Sequence, residues 1–181
     1  MKNKQQLLHG LIVILLIAVA VILLIKHFHI EDFYVVEPGV LYTSNQPRGM
    51  DYTRLLYNYH IAAIVNIRPT SEHRERNWHN EEIIWTKNNG VIYIELPIEK
   101  SNCFPDKQTQ DKFISVMGEK NNLPVLLHGG SDDKRVAMLV ASWLEKSRGY
   151  TTEEAVEAVE KIIDDRKLTE DEVKFIRELS K

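Results

Sequence analysis

The sequence predicts an α/β domain with a central, mainly parallel sheet flanked by helices and preceded by one N-terminal transmembrane helix. Apolar runs that suit strands buried on both faces alternate with helical segments, as in parallel sheets covered by helices. An uncharged segment at residues 5–25 is long enough to span a bilayer. The length of 181 residues and the hydrophobic content of 44% fit one globular domain plus an anchor.

The N-terminal segment is predicted to be an uncleaved membrane anchor. Residues 5–25 contain no Asp, Glu, Lys or Arg, and residues 11–25 are an unbroken apolar run. At about 1.5 Å per residue, a helix over residues 5–25 is about 30 Å long, the thickness of a bilayer core. A cleaved signal peptide is the alternative, but residues 26–32 contain no small residues of the kind found at a cleavage site. We therefore expect an anchor at residues 1–30 and a domain at residues 31–181.

The flanking charges predict which side of the membrane the domain occupies. Lys2 and Lys4 precede the span, and Lys26 follows it. Because positive residues next to a span favour the cytoplasm, we expect a single-pass protein with its domain on the extracytoplasmic side. All 26 acidic residues follow residue 30 and outnumber the 23 basic residues of the chain, which argues against nucleic acid as a partner.

Turn and capping signals divide the domain into its elements. Pro38 and Gly39 separate two short strands, Gly90 ends a helix, and Thr169 with Glu172 forms the capping box of the last helix. The predicted strands are 33–36, 40–43, 61–67, 91–96 and 124–128; the predicted helices are 51–59, 79–89, 106–120, 134–146 and two more after residue 150.

The segment after the strand at 124–128 is the candidate anion site. Residues 125–140, VLLHGGSDDKRVAMLV, run from strand through loop to helix. Ligand sites in parallel sheets form at the carboxyl ends of strands, and a helix N-terminus presents N–H groups to anions. Arg135 adds a bidentate fork for phosphate oxygens. A polar connection with a surface arginine is an equally good interpretation of these residues alone.

The same segment resembles the phosphate loop of the cysteine-dependent phosphatases, H-C-x-x-G-x-x-R after a buried strand. His128 matches the histidine and Arg135 the arginine. Residues 33–47 (FYVVEPGVLYTSNQP), residues 64–68 (IVNIR) with Glu72 and Glu75 following, and residues 93–97 resemble the bacterial dual-specificity-like branch of the protein tyrosine phosphatases, in the same order. The likeness spans residues 33–143. It implies a phosphatase-like fold whose phosphate-binding loop comprises His128, Gly130, Ser131, Asp132, Asp133 and Lys134, with Arg135 as the phosphate-binding arginine.

The departures from the family pattern fall where the chemistry would occur. Gly129 occupies the position of the nucleophilic cysteine, Asp132 that of the loop glycine, and Val136 that of the hydroxyl residue after the arginine. Covalent catalysis needs a nucleophile, which glycine lacks. Asp132 and Asp133 are expected to weaken phosphate binding, and Lys134 to strengthen it.

The loop after the strand at 91–96 contains one candidate for the remaining chemistry and the only cysteine of the sequence. Asp106 lies about where the resemblance places the general acid, although a helix N-cap is the simpler interpretation. Cys103, the single cysteine, lies in the same loop, and we interpret it as a loop or packing residue.

Two functions fit these observations. The first is a membrane-tethered pseudophosphatase that binds phosphate groups without turnover, because loss of a thiolate also removes a negative charge from the pocket floor. The second is an active phosphatase for phosphotyrosine, phosphoserine or other phosphate monoesters. In both cases the expected partner is a phosphorylated protein or a small phosphate ester, and no cofactor is expected. No metal is expected either, because Asp132 and Asp133 lack further clustered ligands.

Overall fold

The computed structural model describes residues 9–21, 29–75, 77–101, 104–130, 134–163 and 166–179. The chain divides into two units, residues 1–30 and residues 31–181, and each is described by itself. In the first unit, residues 9–21 form helix α1, whose apolar side chains are largely exposed. Among the residues that the structure describes, no helix is long and apolar enough to span a membrane. The predicted span extends beyond the described residues on both sides of α1 and stays a prediction.

A five-stranded sheet forms the centre of the second unit, in the order β1-β2-β5-β3-β4. Strand β1 pairs antiparallel with β2, and the other neighbours are parallel, so the predicted mainly parallel sheet is confirmed. The turn between β1 and β2 contains Gly39 at a φ of 73°, a left-handed conformation that suits glycine. The strands are β1 (Tyr34–Glu37), β2 (Leu41–Ser44), β3 (Ala63–Asn66), β4 (Ile92–Glu95) and β5 (Val125–His128).

Helices cover the sheet and begin at the expected caps. At α6, Thr151 and Glu154 form a capping box, in which the side chain of each residue accepts the backbone N–H of the other. Thr169 and Glu172 form the same two hydrogen bonds at α7. A 3₁₀ segment at Thr70–Glu75, which no sequence signal predicted, precedes α3, and a second lies at Lys120–Asn122. The helices are α2 (Met50–Tyr59), α3 (Trp78–Asn89), α4 (Lys107–Gly118), α5 (Lys134–Arg148), α6 (Thr152–Ile162) and α7 (Glu170–Leu179).

Alternation along the strands assigns side chains to two layers. Leu41, Val65 and Leu127 belong to a buried cluster with residues of α4, α5, α6 and α7. The residues next to them in each strand point to the opposite face. There, the side chain of His128 meets that of Glu82 on α3. Side chains at the strand ends therefore alternate between the apolar cluster and the face on which His128 meets Glu82.

Candidate functional site

The loop after β5 opens at the carboxyl edge of the sheet, where the sequence predicted the site. His128 is in register with Ser44 at the end of β2 and with Asn66 at the end of β3. Gly129 is buried and Gly130 is half-buried. Ser131, Asp132 and Asp133 lie outside the described residues, so their expected place in a phosphate-binding loop stays a prediction.

Arg135 is an interior arginine, with only 4% of its surface exposed. Its Nη1 donates to the carboxylate of Glu72 at 2.8 Å and to the carbonyl oxygen of Ile98 at 2.6 Å. Burial alone would raise the pKa of Glu72, but hydrogen bonds from Arg135 and Arg68 outweigh it and lower that pKa. Of the two interpretations that the sequence left open, a surface arginine is wrong, because the side chain is fixed inside the domain.

A second arginine extends this charged cluster. Arg68 Nε donates to the other carboxylate oxygen of Glu72 at 3.0 Å, and its Nη1 donates to Gln46 at 3.3 Å. The Arg68 guanidinium also lies 4.0 Å above the ring of Trp78, a cation–π contact. One carboxylate thus holds two guanidinium groups in place, and together the three side chains carry a net positive charge.

Beneath the loop, His128 belongs to a buried polar network that the sequence did not reveal. Glu82 on α3 is fully buried, and its carboxylate lies 3.2 Å from His128 Nε2. It also accepts hydrogen bonds from Gln46 at 3.1 Å and Tyr52 at 3.2 Å. Burial would raise the pKa of Glu82. The electrostatic attraction of His128, together with the hydrogen bonds from His128 and Tyr52, outweighs burial and lowers that pKa. The network holds the end of β5, which suits a loop-orienting role for His128.

Lys134, the first residue of α5, is directed towards α7. Its ammonium group forms an ion pair with the carboxylate of Glu172. Glu172 is 2% exposed and accepts a second hydrogen bond, from the backbone N–H of Thr169 at 2.7 Å. Burial would raise the pKa of Glu172, but its bonds to Lys134 and Thr169 lower it. The cation predicted to strengthen phosphate binding thus already has a carboxylate partner.

Asp106 caps helix α4, as the simpler interpretation proposed. Its carboxylate is exposed and accepts a hydrogen bond from the backbone N–H of Thr109 at 2.7 Å. This bond lowers the pKa of Asp106, whereas a general acid at neutral pH needs a raised one. Its role as a general acid, which the resemblance implies, stays a prediction. Cys103 lies outside the described residues.

A cleft of about 170 Å³ borders the loop on the side of α5 and α6. Gly130 and Val136 lie in its wall, together with Thr43, whose buried hydroxyl has no hydrogen-bond partner among the described residues. Val136 itself is 4% exposed and belongs to the apolar cluster. Within the described part of the chain, no three His, Cys, Asp or Glu side chains are grouped so as to hold a metal ion.

Comparison with solved structures identifies the fold. The core catalytic domain of the PP-IP phosphatase SIW14 from S. cerevisiae, in complex with citrate, matches with a TM-score of 0.67 and 18% identity, over 81% of this chain and 84% of that one. PTPMT1 in complex with PI(5)P matches with a TM-score of 0.64 and 16% identity, over 83% and 95%. Tk-PTP in its active form matches with a TM-score of 0.63 and 18% identity, over 82% and 96%.

The chain therefore has the fold of the protein-tyrosine-phosphatase-like phosphatases, as its resemblance to that family implied. No protein-family model matches the sequence. No curated protein matches it either. At 16–18% identity, the likeness to solved structures establishes the fold. Function has to be argued from the residues of the site.

Proposed function

We propose that residues 31–181 form a phosphate-binding module that has lost covalent phosphatase chemistry. One observation carries the proposal: Arg135 is buried and held in place next to a phosphatase-type loop in which Gly129 occupies the nucleophile position. The arginine is the part of such a site that binds phosphate, and the missing thiolate is the part that reacts. The ligand class is a phosphate monoester, borne by a protein or by a small molecule.

The surroundings of Arg135 support binding. Arg68, Glu72 and Arg135 carry a net positive charge, and Glu72 holds both guanidinium groups in fixed positions. Pre-positioned donors lose little conformational entropy when an anion binds. SIW14 is a PP-IP phosphatase, and the structure of PTPMT1 is a complex with PI(5)P. Both proteins have the fold of this chain and bind phosphorylated ligands. Their chemistry is consistent with a phosphate ester as the ligand of this chain.

Phosphate binding should depend on the arginine fork and not only on its charge. We expect Arg135→Lys to weaken binding of phenyl phosphate about tenfold, because lysine keeps the charge and the pairing with Glu72 but loses bidentate geometry. Titration calorimetry on the full chain in detergent measures the dissociation constant. Arg148→Lys is the control, since Arg148 is an exposed arginine paired with Glu37 at 2.7 Å. Equal affinity of the wild type and Arg135→Lys would contradict the proposed binding mode.

We also propose that residues 1–30 anchor the domain in a membrane, with the domain on the extracytoplasmic side. The apolar side chains of α1 are exposed, with Leu11 at 57% and Leu16 at 63%, which suits contact with lipid. The full chain should sediment with membranes, and a chain lacking residues 1–30 should stay folded in the supernatant. Protease added outside intact cells should digest the domain. Sedimentation of the truncated chain at high salt, or full protection from the protease, would contradict the proposal.

A further inference from the structure

We infer that Glu172 on α7 limits the affinity for anions at the start of α5, next to Arg135, by holding the ammonium group of Lys134. This inference rests on the proposed phosphate-binding function. Glu172 acts through Lys134 and is therefore a positioning residue, 37 positions away from Arg135 in the sequence. The proposal assigns a role to the C-terminal helix, which lies outside residues 33–143, the segment whose sequence motifs resemble the phosphatases.

The contacts of Glu172 make it a fixed partner. One carboxylate oxygen pairs with Lys134 and the other accepts the backbone N–H of Thr169 at 2.7 Å, as part of the cap of α7. Helix α7 is itself secured by Ile176, which is fully buried in the apolar cluster. The bond to Thr169 anchors the carboxylate on α7, whereas the side chain of Lys134 is 30% exposed. The pair therefore draws the lysine towards α7.

The position of Lys134 explains why its pairing with Glu172 affects the binding of anions. It is the first residue of α5, and the N-terminus of a helix attracts negative charge. Next to it, Arg135 is already paired with Glu72. The pairing with Glu72 fixes the guanidinium group of Arg135, whereas an incoming phosphate competes with Glu172 for the ammonium group of Lys134. Removing the charge of Glu172 would release one cation near the start of α5 and remove one repulsive anion.

The test is Glu172→Gln, measured by titrating the full chain in detergent with inorganic phosphate at low ionic strength. Glutamine keeps an oxygen that accepts the Thr169 N–H, so the cap of α7 can persist. We expect the dissociation constant to fall about threefold to tenfold, as for loss of one like charge at close range in a partly solvated site. The gain should shrink at high salt, because salt screens such interactions.

Glu160→Gln is a closely matched control. Glu160 on α6 also pairs with a lysine, Lys167 at 2.6 Å, and also accepts a backbone N–H, that of Leu168 at 3.1 Å. The two variants change the net charge equally, so any difference reports position. A double variant, Lys134→Gln with Glu172→Gln, should lose the gain in affinity, because the released cation is then absent. A merely structural role of Glu172 would change thermal stability without this pattern of affinities.

The outcomes separate this inference from the function on which it rests. Tighter phosphate binding by Glu172→Gln, with neither Glu160→Gln nor the double variant matching it, supports the inference. If the wild type binds phosphate and Glu172→Gln binds it equally, the inference is wrong and the proposed function stands. If neither the wild type nor Glu172→Gln binds phosphate at millimolar concentration, the proposed function fails and the inference fails with it. An equal gain in Glu160→Gln would reduce the effect to net charge and would also overturn the inference.

Discussion

A variant carrying Gly129→Cys, Asp132→Gly and Val136→Thr is expected to hydrolyse phenyl phosphate at least about 100-fold faster than the wild type, which should stay near background. The wild-type loop has no side chain at position 129 that can attack phosphorus. The first change supplies a thiol, and the others restore the loop glycine and the hydroxyl of the family pattern. Release of phenol at neutral pH, measured on the full chain in detergent, gives the rates.

Gly129→Cys alone should restore little of this activity. A thiolate at neutral pH needs donors that lower its pKa, and Val136 is buried and apolar where the family carries a hydroxyl. The matched control replaces Gly129 with serine in the presence of the other two changes, which alters the loop equally without adding a thiol. Robust turnover by the wild type would instead identify an active phosphatase. If alkylation of Cys103 abolished that turnover, the nucleophile would be Cys103.

Replacing Glu82 with alanine should destabilise the domain by about 3–5 kcal/mol, because it leaves the buried partners of a charged group unpaired. His128, Tyr52 and Gln46 all direct a polar atom at the Glu82 carboxylate. The free energy of unfolding is measured by titration with urea, with tryptophan fluorescence as the signal for unfolding. Glu81→Ala is the matched control, since Glu81 is the exposed neighbour on the same helix, and its loss should cost about 0.5 kcal/mol or less.

The same carboxylate gives the stability a defined pH dependence. The pKa of Glu82 is lowered from its usual 4.5, so the unfolded chain binds more protons than the folded chain near that pH. The stabilisation is present above pH 4.5 and is lost as the pH falls through the folded-state pKa of Glu82. The difference in stability between the wild type and Glu82→Gln should therefore narrow in acid. A difference that stays constant from pH 7 to pH 3 would show that Glu82 does not make this contribution.

Local sequence signals were enough to predict the strands and α-helices of the domain, but not its 3₁₀ segments. Strands with continuous apolar runs, the turn at Gly39 and the capping box at Thr169 depend on neighbouring residues, and the structure contains all of them. The loop after β5 was also predictable, because a buried strand followed by a polar segment and a helix places that loop at the carboxyl edge of a parallel sheet. The glycine at position 129 is read directly from the order of residues.

The partners of the charged groups were not predictable in this way. Glu82 and His128 are 46 residues apart, and Glu72 and Arg135 are 63 apart. These pairs form because β5 inserts between β2 and β3, which brings the loops and helices after those strands to one edge of the sheet. In the sequence, nothing distinguishes Glu82 from glutamates on solvated helix faces, and the capping signal at Glu172 does not indicate its pairing with Lys134. The amino-acid pattern alone determines which strands and α-helices form and which residue stands at position 129, because both depend on local residues. The strand order determines which carboxylate neutralises which cation, because only long-range packing places them within hydrogen-bond distance.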